Sequence, residues 1–326
     1  MSSLDEQVLY NVLSFTPVFD PLHRSEEIIP IMKYGLTLLF IACLLMPACS
    51  LDRMVADNSL GLLEKVQLEF IDEPSVRYAR EAGPGLLKLM DGLVRASPDN
   101  QELLVFAASM DAQFAFGLIE DEDPVFARSL YDKAWHRALR GLGDSRLQDL
   151  LHMRAEDVSS ILAEHGESDL PAIFWTGLSL AGWLNLDRGS MESVASLPLA
   201  LAFVNRSMES DPTFFFVAAH LLYGRFQGER SSELGGNPTK ARASLLEASR
   251  VNDGRLLLAR VYMARYFAVP KQDTKLFRAE LDAVLAAPDD ILPNARLLTA
   301  IAKKKADEML LTMEDFFLEI PDKDRY

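Results

Sequence analysis

Apolar residues recur at helical spacing along most of this chain. Residues 85–96 place Leu86, Leu87, Leu89, Met90, Leu93 and Val94 on one stripe and stop at Ser97-Pro98-Asp99. Positions three and four apart share a helix face, so the pattern predicts an amphipathic helix. Further helices are predicted at 103–119, 125–139, 146–164, 170–186, 199–210, 214–226, 239–250, 255–267, 276–286 and 293–312, with short Pro, Gly, Asp or Asn breaks between them. Residues 170–186 are apolar nearly all round, which marks a central, buried helix. No convincing run alternates apolar and polar positions as a half-buried strand does. The expected fold class is all-α.

Several of these helices pair across a short elbow, at Ser97-Pro98, Asp211-Pro212 and Asn252-Asp253. Small residues follow each elbow (Ala107 and Ala108, Ala218 and Ala219, Ala259), where two helices must approach closely. There is also an internal echo. Pro124-x-x-Ala127-Arg128 with Ala134 matches Pro238-x-x-Ala241-Arg242 with Ala248. Proline suits the first turn of a helix, and alanine at spacing seven keeps one face thin for a neighbour. These features resemble degenerate tetratricopeptide-like helical hairpins stacked as one α-α superhelical domain. An irregular helical bundle is the alternative.

The run 36–45 is apolar and ends in Met46-Pro47-Ala48-Cys49, which resembles a bacterial lipobox. Ten apolar residues are too few to span a bilayer, which takes about 20. A signal starting at Met32, with Lys33 as its charged region, fits the usual design. Residues 1–31 are then expected to come from an upstream start codon, 32–48 to be a lipoprotein signal peptide, 49–60 an N-terminal tether and 61–326 the helical-repeat domain. Cys49 is the expected lipidation site.

The net charge of −15 argues against a phosphate-backbone partner, so no nucleic acid is expected, and attachment to a membrane must come through lipid alone. Cys43 lies in the signal and Cys49 carries lipid, which leaves no thiol for a disulfide, a metal or catalysis. His136, His152, His165 and His220 show no ligand spacing, and no nucleophile elbow or phosphate loop occurs. Glu120-Asp121-Glu122-Asp123 lacks the spacing of a calcium loop and reads as a solvated turn into Pro124. No catalytic residue, metal or cofactor is therefore expected, and the chain does not read as an enzyme.

Aromatic residues are the more informative set. Trp175 and Trp183 fall on the most apolar helix, Phe215 and Tyr223 on the next but one, and Tyr262 and Tyr266 on a third. They either fill the core or line an apolar ligand cavity or pore. Phe214-Phe215-Phe216 cannot all share one side of a helix, so one of them should face a groove, a partner or solvent.

Phe174-Trp175-Thr176-Gly177, Gly182-Trp183, Leu197-Pro198, Ser210-Asp211-Pro212 and Gly235-Gly236-Asn237-Pro238-x-x-Ala241-Arg242 resemble, in this order, the T-component lipoproteins of TRAP transporters. So do Val261-Tyr262-Met263-Ala264-Arg265-Tyr266, the set Phe277, Leu281, Val284 and Leu285, and Asn294-Ala295. The likeness runs from about Cys49 to the C-terminus. It implies tetratricopeptide-like hairpins, a homo-trimer with a pore, and work beside the periplasmic solute-binding protein of a tripartite ATP-independent transporter that imports organic acids or small hydrophobic molecules. Ser50 after the lipidated cysteine implies the periplasmic face of the outer membrane. A helical-repeat scaffold for cell-envelope or outer-membrane assembly is the alternative function.

Overall fold

The computed structural model describes residues 51–321 except Arg188 and 233–234. The lipobox and Cys49 lie outside the described residues, as do the expected upstream segment and signal peptide.

Thirteen α-helices make up the described residues, with no strand among them. They are α1 (Leu51–Asp57), α2 (Leu60–Ile71), α3 (Val76–Ala96), α4 (Gln101–Phe114), α5 (Pro124–Leu142), α6 (Ala155–Leu162), α7 (Leu170–Asn185), α8 (Met191–Ser210), α9 (Phe214–Glu229), α10 (Pro238–Val251), α11 (Leu258–Met263), α12 (Thr274–Ala286) and α13 (Arg296–Leu311). The all-α expectation holds. The buried α7 sits between α5 and α8, and Gly177 and Gly182 leave room for Phe203 of α8 and Tyr131 of α5.

Local chemistry explains the starts. Ser75, Asn100, Asp123, Ser190, Asn237 and Asp273 each accept a first-turn backbone N–H, which satisfies a donor the helix itself cannot. Pro124 and Pro238 open α5 and α10 after Asp123 and Asn237, and Ala127, Ala134, Ala241 and Ala248 are all fully buried. The echo extends further than its spacing. Arg128 stacks 4.7 Å over Trp183, and Arg242 stacks 5.8 Å over Phe267.

Several boundaries differ from the periodicity. Helix α3 starts at Val76 and α8 at Met191, with Pro84 and Pro198 inside them. A proline interrupts one backbone hydrogen bond, and here the packed faces on both sides carry the helix through. The stretch 146–164 is not one helix. Two 3-10 turns, Ser145–Leu147 and Leu150–His152, bury Leu147 and Leu150 before α6 begins. The expected tether contains α1, and Asp57 at its end accepts from Ser97 at 2.5 Å and Asn100 at 2.8 Å.

Two helices loosen into π turns at their C-terminal ends. Glu120 N–H donates to the Ala115 carbonyl and Val269 N–H to the Ala264 carbonyl, five residues back in each case. The first unit, Gln101–Ile119, is the one helix among the described residues long and apolar enough to cross a membrane, but most of it is packed inside the fold.

The last helix returns to the first ones. Helix α13 packs on α2, α3 and the π turn after α4. Arg296 grips Asp72 through Nε at 3.0 Å and Nη2 at 2.8 Å, Lys304 reaches Glu122 at 2.6 Å, and Lys305 pairs with Asp121. This last helix walls two of the three cavities described next.

Candidate functional site

Three cavities share walls through the closed array. The outer chamber, about 610 Å³, has Gln67, Glu64, Glu102, Ser109 and Asp169 around it and ends on Trp175 and Phe215. Those two rings also bound a small apolar waist of about 70 Å³, walled further by Phe70, Phe116, Leu178, Phe216, Leu297 and Ile301. Phe116 and Lys305 in turn bound both the waist and an inner chamber of about 350 Å³. The three lie side by side, one polar, one apolar and one charged, and the charged one has exposed residues at its rim, Asp121, Arg265 and Glu308.

The outer wall of the waist comes from an unusual backbone. Phe215, Phe216 and Val217 all take left-handed conformations, with φ of 44°, 58° and 64°. Left-handed backbone costs an L-residue roughly 1–2 kcal/mol. Aromatic contacts offset that cost. Phe174 meets Trp175 at 4.8 Å and Phe214 at 5.2 Å, Trp175 meets Phe215 at 4.7 Å, and Phe215 meets Phe216 at 5.4 Å. Such ring pairs contribute about 0.5–1.5 kcal/mol each beyond their buried area, so the cluster and the strain are of similar size. The backbone thereby solves the three-phenylalanine problem. It leaves the right-handed helix, turns Phe214 and Phe215 to the outer chamber, and turns Phe215 and Phe216 to the waist.

Apart from Lys305 at its boundary, the waist has one polar lining residue. The Gln113 amide lines it, and its Nε2 is buried with no hydrogen-bond partner. Leaving an amide unpaired in an apolar setting costs about 1–3 kcal/mol.

The inner chamber is built between the two π turns. Phe116 from the first faces Tyr262 at the root of the second, with ring centroids 6.2 Å apart. Arg225 of α9 is buried and donates to Glu120 at 2.5 Å, and Glu120 also accepts from the Tyr131 hydroxyl at 2.6 Å. Burial works against the Arg225 charge, but Glu120, Tyr266 and Glu229 outweigh it and hold its pKa above the ordinary value. Burial also raises the Tyr262 hydroxyl and pushes Tyr266 up to about 12. Burial likewise opposes ionisation of Asp121, yet Lys305 prevails and keeps its carboxyl below the usual range. Gly228 of α9 lies against the Tyr266 carbonyl, and a side chain there would collide with it.

The aromatic candidates thus fall in four places. Trp175 and Phe215 stand together between the outer chamber and the waist, and Tyr262 and Tyr266 stand together in the inner chamber. Trp183 lies apart in a groove with Pro124, Val125 and Arg128, its ring covered by Arg128, which also pairs with Asp187 at 3.0 Å. Tyr223 is half-buried and lines none of the three cavities. Sequence reasoning missed Gln113, Arg225, Arg265 and Lys305. Its only available hint was polar or charged residues at positions of otherwise apolar helices.

His165 and His220 are each tied up separately. His165 bridges Asp169 at 2.8 Å and Asp144 at 3.1 Å, and His220 meets Ser244 at 3.1 Å. Among the described residues no three His, Cys, Asp or Glu side chains group as a metal site.

Comparison with known proteins adds to this geometry. The family model described as TRAP transporter T-component matches residues 72–317. An uncharacterized protein of Treponema pallidum (strain Nichols) is 19% identical over 311 residues, covering 86% of this chain and 96% of that protein.

Proposed function

Since the chain belongs to the TRAP transporter T-component family, and so to the transport machinery of the bacterial cell envelope, we propose that it is a non-catalytic accessory that docks the solute-binding protein of its system and shelters a small hydrophobic or organic-acid ligand. The observation that supports the shelter is the set of shared walls, Trp175 with Phe215 and Phe116 with Lys305, which sets a polar cavity, an apolar waist and a charged chamber side by side. Ligand sites are commonly mostly apolar concavities with a few placed polar groups.

In this reading the elbow-joined helices are tetratricopeptide-like hairpins in one superhelix. Three copies associate, and lipid on Cys49 holds the assembly on the periplasmic face of the outer membrane. The test is co-purification of the lipidated protein from its native membrane, with partners identified by mass spectrometry. A solute-binding protein in near-equal amount is the expected result. Envelope-assembly proteins in its place, with solute uptake unchanged on deletion, would overturn the docking role and favour a scaffold.

A further inference from the structure

Helix α1 turns a bare apolar face outward. Leu51, Met54 and Val55 are 68%, 54% and 54% exposed. Positions three and four apart share a side of a helix, so these three form one stripe. Ala56, on the other side, is fully buried, and the charged Asp52, Arg53 and Asp57 fall off the stripe. Asp57 ties the helix down by accepting from Ser97 and Asn100. The helix is therefore held in place with its apolar side away from its neighbours.

Chain length says what covers that side. Leu51 follows Cys49 by two residues. Two extended residues span at most about 7 Å, and the three helical steps to Met54 add about 4.5 Å. Acyl chains on Cys49 lie in the hydrocarbon, so the stripe stays within roughly 12 Å of the lipid. An apolar helix face within that reach settles at the boundary of headgroups and acyl chains, about 5–10 Å deep. A second copy of the chain is the poorer occupant. Three half-exposed aliphatic side chains offer on the order of 200 Å², against about 800 Å² on each side of a stable interface.

We propose that α1 lies along the membrane surface with Met54 and Val55 in the acyl boundary. This rests on the lipid anchor at Cys49 proposed above, and it adds an apolar contact to the lipid anticipated from the sequence. Helix α2 starts three residues after α1 ends, and its Leu60, Glu64 and Gln67 line the outer chamber. That wall of the chamber then stands close to the membrane.

The test uses the full-length lipidated protein in vesicles of phosphatidylethanolamine and phosphatidylglycerol. With Cys43 removed and Cys49 acylated, a single introduced cysteine takes an environment-sensitive fluorophore. Met54→Cys and Val55→Cys probe the stripe. Met191→Cys, at an apolar position of α8 that is 88% exposed, is the control. Fluorophores at 54 and 55 are expected to shift to the blue and lose about half their emission to a phospholipid carrying a nitroxide near the top of its acyl chain, the depth an interfacial helix reaches. The fluorophore at 191 should keep its aqueous emission. Aqueous, unquenched emission at 54 and 55, with acylation of Cys49 confirmed by intact mass, overturns the membrane face and leaves the anchor standing. A blue shift without quenching overturns it in favour of a second copy. Equal quenching at 191 overturns the assignment to α1. An unacylated Cys49 overturns the anchor and this inference with it.

Discussion

Asp111 lies fully buried where α4 faces α5, and Arg225 lies nearly as deep on α9. Asp111 is locked between Lys133 at 2.8 Å and Arg137 at 2.6 Å, and both cations also reach Asp91 of α3, at 3.0 and 2.7 Å. None of the three cavities touches Asp111. Arg225 has Glu120 and Tyr131 behind it and an inner chamber of about 350 Å³ in front. The first cluster clamps three helices around a carboxylate sealed from solvent, with Asp91 and Lys133 partly exposed at its edge. The second clamps α9 to the first π turn while one side stays open. Burial alone therefore does not separate a structural charge from a candidate site charge. What marks it is burial beside unfilled space.

Removing one partner of a buried pair costs about 3–5 kcal/mol because the other charge stays buried. Asp111→Ala should fall near the low end, about 3 kcal/mol, since Asp91 still faces both cations. Chemical denaturation with the wild-type m-value as control checks this. Arg225→Met should cost roughly half as much, since chamber water can reach Glu120, and Arg225→Met with Glu120→Gln should recover much of the loss. Equal costs at Asp111 and Arg225 would break the closed-versus-open distinction.

The waist wall supplies a sharper, smaller effect. In an ordinary helix Gly is about 1 kcal/mol worse than Ala. At Phe216, where φ is 58°, Phe216→Gly should instead be more stable than Phe216→Ala by about 1 kcal/mol. Thermal melts of both variants check the sign.

The smallest expected difference is in pH response. At Asp91 burial opposes ionisation, but Arg137, Lys133 and Lys88 prevail and hold the carboxyl well below its usual range. Its stabilisation is present above the unfolded-state value near 3.9 and is lost as pH falls toward its folded value. Asp91→Asn should flatten the acid limb of a stability profile. Tyr266 behaves in the opposite sense. Its stabilisation is complete below the unfolded value near 10 and is lost as pH rises through about 12. Tyr266→Phe should flatten the alkaline limb and leave the acid limb unchanged.

Helix identity was legible because apolar periodicity is local. The elbows at Ser97-Pro98, Asp211-Pro212 and Asn252-Asp253 all lie between helices, and the all-apolar 170–186 segment is buried as its pattern requires. Proline misled where packing outweighs one lost hydrogen bond, at Pro84 and Pro198. The π turns and the left-handed run at Phe215 are responses to neighbours, so no local pattern announces them. The chamber is harder still to read, because Glu120 and Arg225 are 105 residues apart and meet only when the array closes. Trp175 and Phe215 were legible as aromatic candidates, whereas Trp183 carries the same signal and is occupied by Arg128.

The most direct test of the proposed shelter is a crystal structure of the protein with 6-bromohexanoate, located by bromine anomalous scattering. The expected result is bromine in the waist among Phe116, Trp175, Phe215 and Ile301. A waist that stays empty at saturating probe, or bromine bound only outside it, would contradict the account.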